Sequence, residues 1–501
     1  MKILFVAAEA YPFIKAGGLG DVAYSLPKAL RKSGMDVRVI MPRYKLPKKI
    51  KRIMKKLASY KIYIGWKTVY CSLWYLEWNG LPYYFIDNPE YFYRPNPYGY
   101  NDDDERFVCF SKAVLEGLKY MGDFKPDIMH CNDWHTALAI PLKDAYYQGN
   151  SLYDDIKTVF TIHNILYQGV YGKDTLWMLG LDEKKYYTEN KLKYYDGISF
   201  MKWGIAAADK VTTVSKSYAE EIQQSWFGYG LHSVLRERKN DLHGIVNGID
   251  YEVFNPENDK EIFNNFSREI PSGKKINKLK LQEKLGLEVN ENIPIIAMVT
   301  RLTDQKGIGL LEGAMHRLMK REVQLVITGT GQEHYENALR YMENRYKGKV
   351  KVVIEFDQIL SKQIYAGSDL FLMPSKFEPC GLGQLIAMRY GTVPIVRKTG
   401  GLKDTVKEYN EYTGQGNGFT FNNYSTEDML FSIERALSFY EKKEVWNNLV
   451  NTVMNEDNTW EKSASKYKKL YERVLLAKPR KVHNVKKKNR KNKEQLLIAS
   501  C

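Results

Sequence analysis

Short apolar, β-branched runs recur along the chain, separated by longer stretches of helical periodicity. In the first half these runs are ILFVAA, DVRVIMP, KTVYCSLWYL, LPYYFID, DIMHC, KTVFTIH and KVTTVS. In the second they are PIIAMVT, QLVITGTG, KVVIEF, LFLMPS and TVPIVR. Nearly continuous apolar strands alternating with helices imply parallel sheets covered on both faces. The pattern occurs twice, so the chain reads as α/β, with two doubly wound, Rossmann-like domains. Facing each other, such domains leave a cleft lined by the C-terminal ends of their strands, where a ligand binds.

The break between the halves falls in NGIDYEVFNPENDKEIFNNFSREIPSGKK, polar and rich in Asn. This puts the N-terminal domain at 1–250 and the second at 260–455. A long helix is expected over 456–476, with Trp460, Tyr467, Leu470, Tyr471 and Val474 spaced along one face. Residues 477–501 read as a basic, disordered tail. The formal net charge of +16 belongs wholly to two segments, RYKLPKKIKRIMKK (43–56) and that tail, each contributing +8. Two local patches on an otherwise neutral chain are not a nucleic-acid groove, and no nucleic-acid partner is expected. The six-residue run ILFVAA before Glu9 is too short for an export signal and reads as a first strand. No run reaches the length of a membrane span. Five cysteines, Cys71, Cys109, Cys131, Cys380 and Cys501, show no C-x-x-C spacing, which fits a reducing, cytoplasmic compartment.

Three clusters carry chemistry. In IKAGGLGDV (14–22) the first strand is followed by Lys15, Gly17 and Gly18, with a helix expected from about Asp21 and a kink or late start at Pro27. Glycines let backbone approach a ligand, and helix N–H groups with a lysine favour an anion. The spacing matches neither the dinucleotide nor the P-loop fingerprint, and a tight turn that binds nothing explains it equally well. In VTRLTDQKG (299–307), Arg301 and Lys306 follow a strand and could neutralise a diphosphate. In PSKFEPCGLGQLIAMRYG (374–391), a strand end passes through Pro379, Gly381 and Gly383 into a helix that Gly391 can cap. Glu378 lies beside those amides, ionised and able to accept bonds from sugar hydroxyls. A further group, HCNDWHTAL (130–138) with FTIHN (160–164), places Asp133 and His163 just past first-domain strands.

Together, K-x-G-G-L-x-D, H-x-x-D-W-H-x-x-L, T-x-H-N, N-G-I-D, R-L-x-x-Q-K-G and P-S-x-F-E-P-C-G-L-x-Q resemble the bacterial glycogen synthases and plant starch synthases. The resemblance runs in order from Met1 to about Leu476. It implies the GT-B fold, with the C-terminal helix crossing back to the first domain. It implies a retaining glucosyltransferase that moves glucose from ADP-glucose to the non-reducing end of an α-1,4-glucan, with no cofactor and no metal. By this resemblance Lys15, with Gly17, Gly18 and Asp21, binds the sugar nucleotide, and Arg301 and Lys306 stabilise the departing diphosphate. The amides of Cys380, Gly381 and Leu382 hold glucose and phosphate, and Glu378 fixes glucose hydroxyls. His163 bonds the sugar, Asp133 and Asn247 line the pocket, and Phe356 stands near the adenine.

With Glu378 but no evident second carboxylate, front-face displacement within an ion pair is favoured over a covalent intermediate. Asp102-Asp103-Asp104 contains the D-x-D pattern of metal-dependent transferases of another fold, and no catalytic metal is expected there. The alternatives are a UDP-glucose or small-acceptor GT-B transferase, a glucan phosphorylase, and a glucan- or polyanion-binding protein without catalysis. The basic tail and the patch after Arg43 are explained by none of these.

Overall fold

The computed structural model of the chain describes residues 1–270 and 272–477; of the basic tail, everything beyond Ala477 lies outside the described residues. Two large sheets organise it. The first has nine strands: β1 (Lys2–Val6), β2 (Asp36–Pro42), β3 (Lys55–Ile64), β4 (Lys67–Trp78), β5 (Leu81–Asp87), β6 (Ile128–Asn132), β7 (Lys157–Ile162), β11 (Lys210–Thr213) and β12 (Leu242–Gly244). A small antiparallel sheet, β8 (Val170–Tyr171), β9 (Lys193–Tyr194) and β10 (Gly197–Ser199), interrupts that count. The nine run in the order β12-β11-β7-β6-β1-β2-β5-β4-β3.

The run KTVYCSLWYL, expected among the parallel strands, is instead the centre of an antiparallel extension. β4 pairs antiparallel with both β3 and β5. Two-residue turns make this possible: Gly65 (φ +55°) begins one, and Asn79 (φ +50°) with Gly80 (φ +73°) forms the other. Positive φ at both central residues matches the twist of a tight hairpin. β3 is not legible as an apolar run because exposed Ser59, Lys61 and Tyr63 alternate with buried Tyr60, Ile62 and Ile64, the pattern of a half-solvated edge.

The second sheet is wholly parallel. β13 (Ile295–Val299), β14 (Gln324–Thr328), β15 (Val350–Val353), β16 (Leu370–Met373), β17 (Val393–Arg397) and β18 (Phe419–Phe421) lie in the order β15-β14-β13-β16-β17-β18. The order reverses between β13 and β16, as it does between β1 and β6 in the first sheet. In open α/β sheets such reversals open a crevice at the carboxyl ends of the strands.

The helix Trp460–Leu476 buries Trp460, Tyr467, Leu470, Tyr471 and Val474 in the core of the first sheet. Its Tyr471 hydroxyl lies 2.7 Å from Nδ1 of the buried His130. Where the chain passes between the sheets, Ile249 pairs with Thr459, and Gly248 sits so close that a Cβ would lie 2.5 Å from the Thr459 carbonyl carbon. Among the described residues, no helix is long and apolar enough to cross a membrane.

Candidate active site

The loop after β1 departs from its sequence reading in three ways. The helix that follows, α1 (Gly18–Lys32), begins three residues before Asp21 and runs on through Pro27. Its early start has a cause upstream. The fully buried Glu9 accepts hydrogen bonds from the Ala16 N–H (2.5 Å) and the Gly20 N–H (3.0 Å), and the Gly17 N–H also faces it. Three loop amides therefore point inward at Glu9, not outward at a ligand, because a buried carboxylate must be hydrogen-bonded. Burial still raises the Glu9 carboxyl to about 7, against the pull of those amides. Lys15, expected to meet a ligand's anion, bonds Asp21 at 2.7 Å. Burial raises the Asp21 carboxyl and the Lys15 charge opposes the rise.

The crevice beside β6 is built on a strained residue. Asp133 has φ +57°, outside the usual range for a residue with a side chain. The twist turns its carboxylate onto the His163 N–H, at 2.7 Å. Burial raises the Asp133 carboxyl to about 7, with the nearby Glu9 adding to the effect. His163 is pushed down to about 3 by burial, so its ring is neutral near pH 7. His163 Nε2 lies 3.0 Å from Asn132 Oδ1, while the Asn132 amide nitrogen donates to the Val6 and His130 carbonyls. An amide oxygen only accepts, so Nε2 carries the proton and Nδ1 is left as an acceptor.

In the second sheet, the turn after β13 and the loop after β16 interlock. A Cβ on Gly307 (φ +75°) would lie 2.1 Å from the Pro374 carbonyl, and the Lys376 N–H donates to the Gln305 carbonyl at 2.8 Å. This contact carries Lys306 Nζ to within 2.5 Å of Glu378 Oε2, which also accepts from Ser375 Oγ at 3.0 Å. Two residues assigned separate roles thus form one buried ion pair. Arg301, at the same strand end, is exposed, and its charge acts on the Tyr98 phenol of the first sheet's side. The helix Gly383–Arg389 closes on Gly391 in the left-handed region (φ +68°). Gly381 (φ +72°) is held by Gln384, whose amide donates to the Cys380 and Gly381 carbonyls. Burial pushes the Cys380 thiol up to about 12, and the Asn247 N–H faces that sulfur. The Asn247 side-chain oxygen is buried with no partner among the described residues.

The two glycine loops meet: a Cβ on Gly18 would lie 3.7 Å from Leu382 Cδ1. Residues not singled out in the sequence hold them together. Ser215 Oγ donates to the Pro379 carbonyl (2.6 Å), Ser217 bonds Asp404 through both its N–H and its hydroxyl, and Glu221 accepts from the Gly400 N–H at 2.8 Å. Gly400 and Gly401 press on the Glu378 and Cys380 carbonyls too closely for any Cβ. The run T-G-G-L at 399–402 echoes the first loop and could have marked this contact. Phe356 stands apart from these contacts, 73% exposed beyond β15. The D-x-D carboxylates are engaged within the protein: Asp102 pairs with Arg94, Asp103 with Arg106 and the Gly99 N–H, and Asp104 with Thr175.

Comparison with known proteins gives a consistent result. Residues 2–237 match the family model described as starch synthase catalytic domain, and 280–450 match glycosyl transferases group 1. A glycogen synthase of Clostridium acetobutylicum is 53% identical over 477 residues, 95% of this chain and all of that protein. One from Caldicellulosiruptor saccharolyticus is 52% identical over the same share of each. The catalytic domain of starch synthase IV from Arabidopsis thaliana, solved with ADP and acarbose, superposes with a TM-score of 0.88 at 36% identity, covering 95% of this chain and 99% of that one. Sucrose-phosphate synthase from Thermosynechococcus elongatus, at 16% identity and a TM-score of 0.61, shares the GT-B fold.

Proposed function

The chain belongs to the glycogen and starch synthase family of GT-B glycosyltransferases, and we propose that it transfers glucose from ADP-glucose to the non-reducing end of an α-1,4-glucan. The observation that carries this reading is the meeting of two glycine loops, one from each sheet, at the reversal points of both strand orders. A donor lying between them has Lys15 on one side and Arg301 with Lys306 on the other. The glycosyl C1–O bond to the diphosphate breaks, C1 bonds the acceptor hydroxyl on the same face, and the hydroxyl proton passes to the departing phosphate. Negative charge grows on that phosphate, and fixed cations and amides meet it without reorganising.

Glu378 fixes glucose hydroxyls and, through its ion pair, holds Lys306 in place. His163 offers Nδ1 as an acceptor to a sugar hydroxyl. Asp133 shapes the same wall, and Asn247 turns its unpartnered oxygen to the ligand. Gly17 and Gly18 leave room for the diphosphate, and Cys380, Gly381 and Leu382 contribute backbone on the opposite side. Lys15 exchanges Asp21 for the diphosphate when the donor binds, and Phe356 flanks the base. The working units are a first domain over 1–250, a second over 260–455 and a returning helix over 456–476, in a cytoplasmic enzyme.

The test is nucleoside-diphosphate release by the purified protein with a glycogen primer, comparing ADP-glucose with UDP-glucose. Primer-dependent ADP release with little UDP release is expected. Release from neither donor would overturn the reading.

A further inference from the structure

We propose that Glu9 is a positioning residue for the transfer reaction: its carboxylate holds the loop Lys15–Gly20 in the arrangement that presents Gly18 and Lys15 to the donor. This rests on the functional reading above, in which that loop faces the diphosphate.

The geometry is specific to a carboxylate of this length. One oxygen takes the Ala16 N–H and the other the Gly20 N–H, so a single side chain spans the loop from its first glycine-flanking residue to its last glycine. Gly20 is fixed at both ends, because its carbonyl accepts the Tyr11 N–H at 3.0 Å. Space is tight on the other side too: a Cβ on Gly20 would lie 3.0 Å from Lys15 Cγ. The position of Gly20 thus sets where the lysine chain leaves the loop. Glu9 has no exposed surface, so it acts through the loop and not by touching substrate.

A glutamine would present one acceptor and one NH2, and the NH2 would face an N–H donor. An aspartate is one methylene too short to reach both amides. The charged groups facing Glu9 are Asp21 of α1 and Asp133 after β6, with the phenols of Tyr44 after β2 and Tyr98 before the helix Asp103–Gly117. None of these is a cation, so the loop amides and the N-terminal end of α1 are what stabilise the charged form. A proton on Glu9 removes one acceptor and frees part of the loop. Donor use should therefore fall as the pH drops through about 7.

The experiment compares wild type and Glu9→Gln, both checked for folding by thermal melting. Steady-state kinetics are run with ADP-glucose and glycogen across pH 6–9. A rise of about tenfold or more in the ADP-glucose KM is expected, with the glycogen KM within twofold. The acid limb of kcat/KM should also become shallower, since one of the buried carboxyls of this site no longer titrates while Asp21 and Asp133 still do. A folded Glu9→Gln protein with an unchanged ADP-glucose KM and acid limb would overturn the proposal, as would equal losses for both substrates.

If Glu9→Gln does not fold, Glu9→Asp takes its place. It should keep the acid limb and still raise the donor KM, and a wild-type KM would overturn the proposal. Wild type that releases no ADP at all would instead sink the functional reading. Calorimetric titration with ADP then decides for Glu9: about tenfold weaker binding in Glu9→Gln supports the role, and equal binding removes it.

Discussion

The loop after β1 and the loop after β16 share a plan: a strand end, a glycine run, a helix start and a buried glutamate. They handle the glutamate in opposite ways. Glu378 is compensated by a full positive charge, Lys306 at 2.5 Å, with Ser375 beside it. Glu9 has only backbone amides, and burial raises its carboxyl to about 7. The first arrangement holds a lysine in the cleft next to its counter-ion. The second spends the charge on backbone shape and leaves Lys15 to pair elsewhere, with Asp21. The same local motif thus yields an electrostatic device in one sheet and a scaffolding device in the other, and the partner that tertiary packing supplies decides which.

Removing either half of the Glu378–Lys306 pair should give the largest effect. Each partner is mostly buried, with side-chain exposures of 7% and 15%, and breaking a buried pair strands the remaining charge. Lys306→Ala and Glu378→Ala should each lower kcat by about 10²–10³ and lower the melting temperature as well. A Glu378→Ala protein with near-normal kcat would erase the distinction between the two loops.

Lys15→Ala should act mainly on the donor. Its ion pair with Asp21 is half-exposed, so stability should barely change while the ADP-glucose KM rises by about tenfold, the factor that about 1.4 kcal/mol of lost binding represents. An equal fall in kcat with unchanged KM would mean that the first loop works electrostatically, as the second does.

The Asp133 carboxyl, raised by burial to about 7 from an ordinary value of 3.8, makes a prediction about pH. Between those values the folded chain holds a proton that the unfolded chain has lost, so stability falls as pH rises through the interval. Asp133→Asn should remove part of that fall, on the order of 2 kcal/mol between pH 5 and 8. Parallel pH–stability curves for the two proteins would contradict this.

The smallest effect belongs to the contacts joining the loops' surroundings. Asp404→Ala removes two bonds to Ser217, of 2.9 and 2.6 Å, for about 1–2 kcal/mol of stability. Denaturant unfolding measures it directly, and kcat should change less than in the Glu378 variant.

Much of this was legible in the chain. The parallel strands were readable because strands buried on both faces must be nearly continuous in apolar residues, as ILFVAA and PIIAMV are. The face shared by Trp460, Tyr467 and Tyr471 was readable because helical spacing fixes which side chains align. The antiparallel β3–β4–β5 extension was less legible because exposed Ser59, Lys61 and Tyr63 interrupt the apolar residues of β3, although Asn79-Gly80 between β4 and β5 carried a hairpin signal. Glu9 was missed because A-E-A reads as the ragged end of a strand, and nothing in its neighbours announces a loop seven residues on that needs its oxygens.

Taken alone, the sequence determined the period of its strands and helices, the glycine positions where backbone must turn or come close, and the residue types able to meet a phosphate. These follow from local sterics and hydropathy, which neighbouring residues set among themselves. Tertiary structure decided the pairings: Glu378 with Lys306, Glu9 with Ala16 and Gly20, Lys15 with Asp21, and Gly18 against Leu382. Glu378–Lys306 and Gly18–Leu382 join segments far apart in the chain, and the others are near in sequence but meet only because the loop folds back. A charge takes its character from the dielectric and the partner it meets once the chain is folded.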